Sequence, residues 1–167
     1  MDLFRNGCCI VFALLYLSTV RAEVIIGTCV GVADGDTCTV LYTTERGNKT
    51  TERIRLNAID APESTQEFGQ ASKKHLSQLI YRKKIKVEAL GRDQYQRILG
   101  NIYVGKLFVN LEMVKAGLAW WYQKYAPHDA QMKEAEALAK SAKKGLWIQP
   151  SPTPPWMYRK NKRSSKH

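Results

Sequence analysis

A short turn signal near the start of this chain, Ala33-Asp34-Gly35, decides what its first half can become. Residues 24–32 are rich in β-branched side chains and end at Ala33-Asp34-Gly35, and residues 37–42 carry threonine beside valine and leucine. Only a tight reversal fits between the two runs, and Asp and Gly are the residues such a reversal favours. The pair is predicted as a β-hairpin. Residues 53–59 alternate again, with Arg53 and Arg55 on one face and Ile54 and Leu56 on the other. Pro62 ends that strand, because it has no N–H to give to a ladder. The polar stretch 45–51, with Gly47 and Asn48, is predicted as a loop. Its Asn48-Lys49-Thr50 sequon has meaning only in a eukaryotic secretory setting.

The period then changes. Phe68, Ser72, Leu76, Leu79 and Ile80 share one helical face over residues 68–81. Residues 85–90 and 98–104 return to strand character, Gly105-Lys106 is a turn, and 110–116 is a short helix. Asp129 is placed to cap a long helix with Ala135, Leu138, Ala139 and Ala142 on one face and Gly145 at its end. Beyond Trp147, four prolines followed by Arg159, Lys160, Lys162, Arg163 and Lys166 predict a mobile basic tail. Five short strands, one helix between the third and fourth and further helices after the fifth, predict a mainly β protein with added α. The architecture they suit is a five-stranded Greek-key barrel of the OB type.

Residues 1–22 stand apart from this domain. A polar start, an apolar run over 8–17 and small residues at Val20-Arg21-Ala22 are the pattern of a secretory signal peptide cleaved after Ala22. The apolar run is short for a membrane span, so an uncleaved anchor is the weaker alternative. The expected organisation is a signal peptide over 1–22, a single domain over 23–149 and the tail over 150–167. The formal net charge of +11 favours polyanionic partners and does not itself specify a fold. Cys29 and Cys38 are spaced for neither a zinc site nor a redox pair, which leaves two small buried apolar residues or a disulfide.

Chemistry concentrates in three short runs. Asp36 and Asp60 fall at strand ends on either side of the predicted barrel mouth, and two carboxylates with a backbone carbonyl and water suit Ca²⁺. Glu63 follows the rigid Pro62 and can take a proton from an attacking water. Arg55 and Arg97 can grip phosphate oxygens through planar, paired donors. Together these groups are what phosphodiester hydrolysis requires. Each also has a plainer explanation: turn chemistry for Asp34-Gly35-Asp36, a surface ion pair for Arg55 and Asp60, a helix N-terminal carboxylate for Glu63, an edge-strand charge for Arg97. Asp34-Gly35-Asp36 is not an EF-hand loop, because Cys38 and Thr39 stand where Asx and Gly are needed.

The runs Val32-Ala33-Asp34-Gly35-Asp36-Thr37, Arg55-Leu56-Asn57-Ala58-Ile59-Asp60-Ala61-Pro62-Glu63 and Asp93-Gln94-Tyr95-Gln96-Arg97 resemble the signature of the staphylococcal nuclease family. Residues 111–119 and Lys144-Gly145-Leu146-Trp147 are similar to its later helices, so the likeness spans about residues 24–148. The resemblance implies an OB barrel with three helices and Ca²⁺-dependent endonuclease activity on DNA and RNA. Single-stranded or locally melted substrate and products with 3′-phosphates are part of the same expectation. It implies that Asp36 and Asp60 are calcium ligands joined by the Ala61 carbonyl, that Glu63 is the general base, and that Arg55 and Arg97 clamp phosphate. Tyr95, Tyr122 and Tyr125 would contact the nucleotide.

The chain departs from the family pattern at several places. Ala61 replaces a threonine, Gln96 stands where glycine precedes the second arginine, Gln94 replaces a basic residue, and the loop over 63–69 is short. A monomer without membrane association after signal cleavage is expected. The alternative reading is a non-catalytic OB module that binds single strands through charge and through aromatics such as Trp120 and Trp121. Deletion of residues 157–167 is expected to weaken the salt dependence of binding and to spare turnover.

Overall fold

The computed structural model describes residues 23–165. The signal-peptide expectation, with its cleavage after Ala22, falls outside these residues. β1 (Glu23–Asp34), β2 (Thr37–Thr43) and β3 (Lys49–Leu56) form an antiparallel meander, and β4 (Ile59–Asp60) follows one turn later. After α1 (Gly69–Ile80), β5 (Lys84–Arg92) returns beside β1, and β6 (Ile98–Val104) pairs with β5. The parallel pairing of Ile54 with Ile98 and Leu56 with Gly100 joins β3 to β6 and closes the five strands into an OB-like barrel. Closure removes the unpaired strand edges an open sheet would present. It also needs a glycine. A Cβ on Gly100 would sit 2.6 Å from Val87 Cγ1 and 3.3 Å from Ile54 Cγ2.

The alternation read from residues 53–59 is what fills the barrel: Ile54 and Leu56 are fully buried, while Arg53 and Arg55 leave on the other face. Cys29, Cys38, Val40, Ile85, Val87, Ile98 and Ile102 complete the interior, and both cysteines are free thiols. Each large aliphatic side chain buried here contributes about 1.5–3 kcal/mol. Leu76 and Ile80 of α1 seal one end, with Ser72 on the same face. Thr50 and Thr51, expected in a loop, pair with Tyr42 and Leu41 instead. The reversal before them is shorter than the polar composition suggested, because Gly47 adopts a positive φ and Thr44 exchanges backbone hydrogen bonds with Gly47 and Asn48.

The remaining chain is helical apart from two short strands. β7 (Leu107–Phe108) leads into α2 (Val109–Lys115), and β8 (Trp120–Trp121) pairs with β4. α3 (Ala130–Ser141) starts under an Asp129 cap, whose Oδ1 accepts from the Met132 amide at 3.0 Å. Its buried face is Met132, Ala135, Glu136 and Ala139, while Leu138 is 63% exposed, so the face expected through Leu138 is rotated. The helix also stops before Gly145. Lys143 takes the left-handed conformation, and Gly145 instead opens a 3-10 turn (Gly145–Ile148) packed on the Gly117 carbonyl. The segment expected as a mobile tail contains a fourth helix, α4 (Pro155–Ser164), with proline at the N-terminal position where its missing N–H costs nothing. No helix among the described residues is long and apolar enough to cross a membrane.

Candidate active site

The turn between β1 and β2 is pressed against α1. A Cβ on Gly35 would fall 1.8 Å from Ser72 Oγ and 2.8 Å from the Ala61 Cβ, so only glycine permits this approach. The Asp36 amide donates to Asp34 Oδ1 at 3.2 Å, which turns the Asp36 side chain inward. Its carboxylate is buried and shared. Oδ1 accepts from the Thr37 hydroxyl at 3.0 Å, and Oδ2 accepts from the Ala61 amide at 2.8 Å. Burial, and then the neighbouring Asp36, push the Asp34 carboxyl up to about 7.

Arg55 reaches the same place from β3. Its Nη1 donates to the Leu56 and Ile59 carbonyls, each at 2.8 Å. Its Nη2 lies 3.1 Å from Asp36 Oδ2 and 2.8 Å from Asp60 Oδ1. Of the five guanidinium N–H groups, only Nε stands outside these contacts. Arg55 and Asp60 do form an ion pair, but a buried one: Asp60 is wholly inaccessible. Burial pushes the Asp60 carboxyl above its ordinary range, against the opposing pull of Arg159 and Arg55. The loop that carries Asp60 is held from below by Asn110 of α2. The buried Asn110 amide accepts from Ile102 N at 3.0 Å and donates to the Asn57 and Gly100 carbonyls at 2.9 and 3.1 Å.

Arg97 follows Gln96, whose φ of 63° is the left-handed conformation that glycine holds without strain. That geometry wraps Arg97 around Asp93, with Nε and Nη2 at 2.8 and 2.7 Å from Asp93 Oδ2 and the Arg97 amide at 3.0 Å from Oδ1. Burial acts upward on Asp93, yet the hydrogen bonds from Arg97 and the Tyr95 amide hold it below its ordinary range. Nη1 points to Thr37 Oγ1 at 3.3 Å, and the second hydrogens of both Nη atoms remain for a ligand. Tyr95 is 62% exposed, and its ring lies 5.5 Å from the Arg97 guanidinium carbon.

One open cavity of about 770 Å³ is lined by Asp36, Arg55, Asp60, Ala61, Glu63, Tyr95, Arg97, Tyr122 and Tyr125, the residues singled out from sequence. Three further groups, two in its lining and one buried behind it, were not singled out. Thr37 links Asp36 to Arg97. Asp93 orients Arg97. Arg159 of α4 enters from the far end of the chain and pairs with Asp60 and Glu63. Thr37 and Asp93 sit inside the quoted motifs and could have been noticed. For Arg159 the sequence offered only a basic cluster. The two tyrosines near the rim differ: Tyr125 is 62% exposed, and Tyr122 stacks on Trp156 of α4 at 5.3 Å and 15°. Trp121 is buried and Trp120 packs edge-on to Trp147 and Trp156, so neither tryptophan is an open stacking platform.

Among the described residues no three His, Cys, Asp or Glu side chains converge at metal-ligand spacing. A hard cation at this mouth would rest on Asp36 and Asp60. Both already face a single cationic nitrogen, so their oxygens can be reached by one ion.

A closed OB-like barrel whose mouth gathers arginines and carboxylates defines a phosphate-handling barrel. Residues 53–149 match the family described as staphylococcal nuclease homologue, and the chain belongs to that family. It is 44% identical over 134 residues to an uncharacterized endonuclease of Haemophilus influenzae, covering 80% of this chain and 72% of that protein. It is 38% identical over 144 residues to a micrococcal nuclease of Shigella flexneri, covering 80% of each. A staphylococcal-like nuclease of Arabidopsis thaliana is 40% identical over 111 residues, but these span 34% of the plant protein.

Proposed function

We propose that this protein is an exported, calcium-dependent endonuclease that hydrolyses the phosphodiester bonds of DNA and RNA with little sequence specificity and leaves 3′-phosphates. Family membership and relatives named as nucleases support the endonuclease class. The observation that carries the finer reading is the single guanidinium nitrogen of Arg55 facing both Asp36 and Asp60, with Glu63 and Arg97 lining the same cavity.

In this reading Asp36, Asp60 and the Ala61 carbonyl hold Ca²⁺, which when bound would polarise one phosphoryl oxygen. Glu63, over a third exposed, accepts the proton of a water that attacks phosphorus. Arg97 presents its two unused N–H groups to the equatorial oxygens, where charge grows as the bond to the leaving oxygen breaks. Arg55 has a different part in the state described, because it ties the two carboxylates together. It turns toward phosphate only as those contacts loosen. The exposed rings of Tyr95 and Tyr125 flank the approach and suit unpaired bases, which favours single-stranded or melted substrate. We take the protein to act as a monomer, freed from residues 1–22.

Cleavage of denatured DNA and of RNA by the purified protein, with Ca²⁺ and then with excess chelator, tests this beside Glu63→Gln. Calcium-dependent products ending in 3′-phosphates, lost in the variant, are expected. Tight binding without cleavage would transfer the barrel to the non-catalytic binding class. N-terminal sequencing of exported protein is expected to begin at Glu23, and retention of residues 1–22 would overturn export by cleavage.

A further inference from the structure

α4 lies against the cavity where a cation and a nucleotide would sit, and its Arg159 and Arg163 line it. Arg159 Nη2 is 2.7 Å from Asp60 Oδ2, and Nη1 is 3.2 Å from Asp60 Oδ1 and 2.7 Å from Glu63 Oε1. Both oxygens of Asp60 and one of Glu63 are therefore engaged by one guanidinium. Three residues earlier on the same helix, Trp156 covers the Tyr122 ring in a parallel stack at 5.3 Å. We propose that α4 is an intramolecular competitor of this site, with Arg159 standing in for the cation and Trp156 for a base, and that calcium loading lifts it. The proposal rests on the calcium reading given above.

Charge balance argues for exchange over coexistence. Asp36, Asp60 and Glu63 face Arg55 and Arg159 at hydrogen-bonding distance, so the closed cluster keeps one uncompensated negative charge. A dication in place of Arg159 balances the three carboxylates with Arg55. A dication beside Arg159 would leave an excess positive charge and two cations competing for Asp60 Oδ2. Burial pulls the Arg159 guanidinium toward losing its proton, but Asp60 and Glu63 hold it firmly charged.

The attachment of α4 is also the kind that can release. Pro155 is its one buried residue. Beyond the Arg159 contacts the helix is held by the Trp156 stack, an edge contact of Trp156 on Trp120 and the Tyr158 hydroxyl 3.1 Å from Thr65 Oγ1. A ten-residue helix with so little buried surface is marginal once undocked, so release and unwinding go together. This changes the expectation for the basic tail: removing residues 157–167 also removes Arg159 from the cavity, so the cation affinity moves as well as the salt dependence.

Calorimetric titration of Ca²⁺ into the full chain and into Arg159→Ala tests the competition without reading activity. Tenfold or tighter binding by Arg159→Ala is expected. Trypsin supplies the conformational arm: cleavage after Lys160 and Lys162 is slow in the cation-free parent, and fast both in Arg159→Ala and in the parent at saturating calcium. Trp156→Phe, which keeps Arg159, identifies the emission change that accompanies release. Equal or weaker calcium binding by Arg159→Ala, or unaltered trypsin resistance at saturation, overturns the competitor while the calcium reading stands. No calcium binding by either protein overturns both.

Discussion

Thr37 Oγ1 lies 3.3 Å from Arg97 Nη1 while donating to Asp36 Oδ1 at 3.0 Å. The hydroxyl thus joins the arginine on β6's approach to the carboxylate in the β1–β2 turn, and it is fully buried. Its loss should act on both neighbours. Thr37→Val keeps the shape and removes the donor, leaving Asp36 Oδ1 without that partner. A stability loss of about 1–2 kcal/mol is expected, with turnover of denatured DNA down by about tenfold. Thr37→Ser should recover most of the turnover. Parent turnover in Thr37→Val would show that this link has no part in the site.

Gln96 occupies a left-handed backbone position directly before Arg97, with φ 63°. A non-glycine residue there costs about 1–2 kcal/mol, and glycine would relieve it while adding about 0.4–1 kcal/mol of unfolded-chain entropy. The first effect is the larger. Gln96→Gly is expected to raise stability in urea by about 0.5 kcal/mol and to leave the Arg92 hydrogen bond to the residue-96 carbonyl intact, since that bond is to backbone. Gln96→Val should be destabilising. Equal midpoints for the glycine and valine variants would remove backbone strain from the account of this turn.

What could be read from the sequence was whatever a local period controls. The Gly35-Asp36 reversal, the Ile54/Leu56 alternation and the Ser72–Leu76–Ile80 face each repeat over a few residues, and each carries its own signal. The errors lie where a distant partner decides. Glu136 is buried on α3 because its carboxylate accepts the Trp121 amide at 3.0 Å and pairs with Lys140, and this turns Leu138 outward. Gly145 is a glycine for its contact with Gly117, not for capping α3. The four prolines beyond Trp147 read as the start of a mobile tail, although Pro155 at the first turn of α4 also fits a helix start. Arg159 meets Asp60 across 99 residues of chain, and no local pattern announces such a pairing.

Asn110 is a supporting residue by the same kind of distant contact. Its amide satisfies Ile102 N, the Asn57 carbonyl and the Gly100 carbonyl, joining α2 to the barrel seam and to the turn before Asp60. Asn110→Ala leaves these buried groups unpaired, at a cost of about 2–4 kcal/mol. Denaturant unfolding should show that loss. Because the turn before Asp60 loosens, Ca²⁺ binding measured well below the melting temperature should weaken by about tenfold. A variant with parent stability would mean that water or a rearranged side chain replaces all three bonds.

Asp34 gives the apo protein a distinctive pH dependence. Burial and the adjacent Asp36 raise its folded-state pKa to about 7, from 3.8 for an unperturbed side chain. The folded protein therefore keeps a proton that the unfolded chain surrenders at lower pH. No penalty exists below the unfolded value; it grows as pH rises from about 4 and is complete above about 7. Asp34→Asn holds the same Oδ1 acceptor for the Asp36 amide but cannot ionise. Carboxylates held low, such as Asp93, lose their contribution in acid in both proteins and cancel in the comparison. In metal-free buffer the stability of Asp34→Asn relative to parent should climb steadily between pH 4.5 and 7.5, and added Ca²⁺ should shrink the climb by screening the Asp34–Asp36 repulsion. A difference that stays flat across this window, or falls, would place Asp34 among ordinary turn carboxylates.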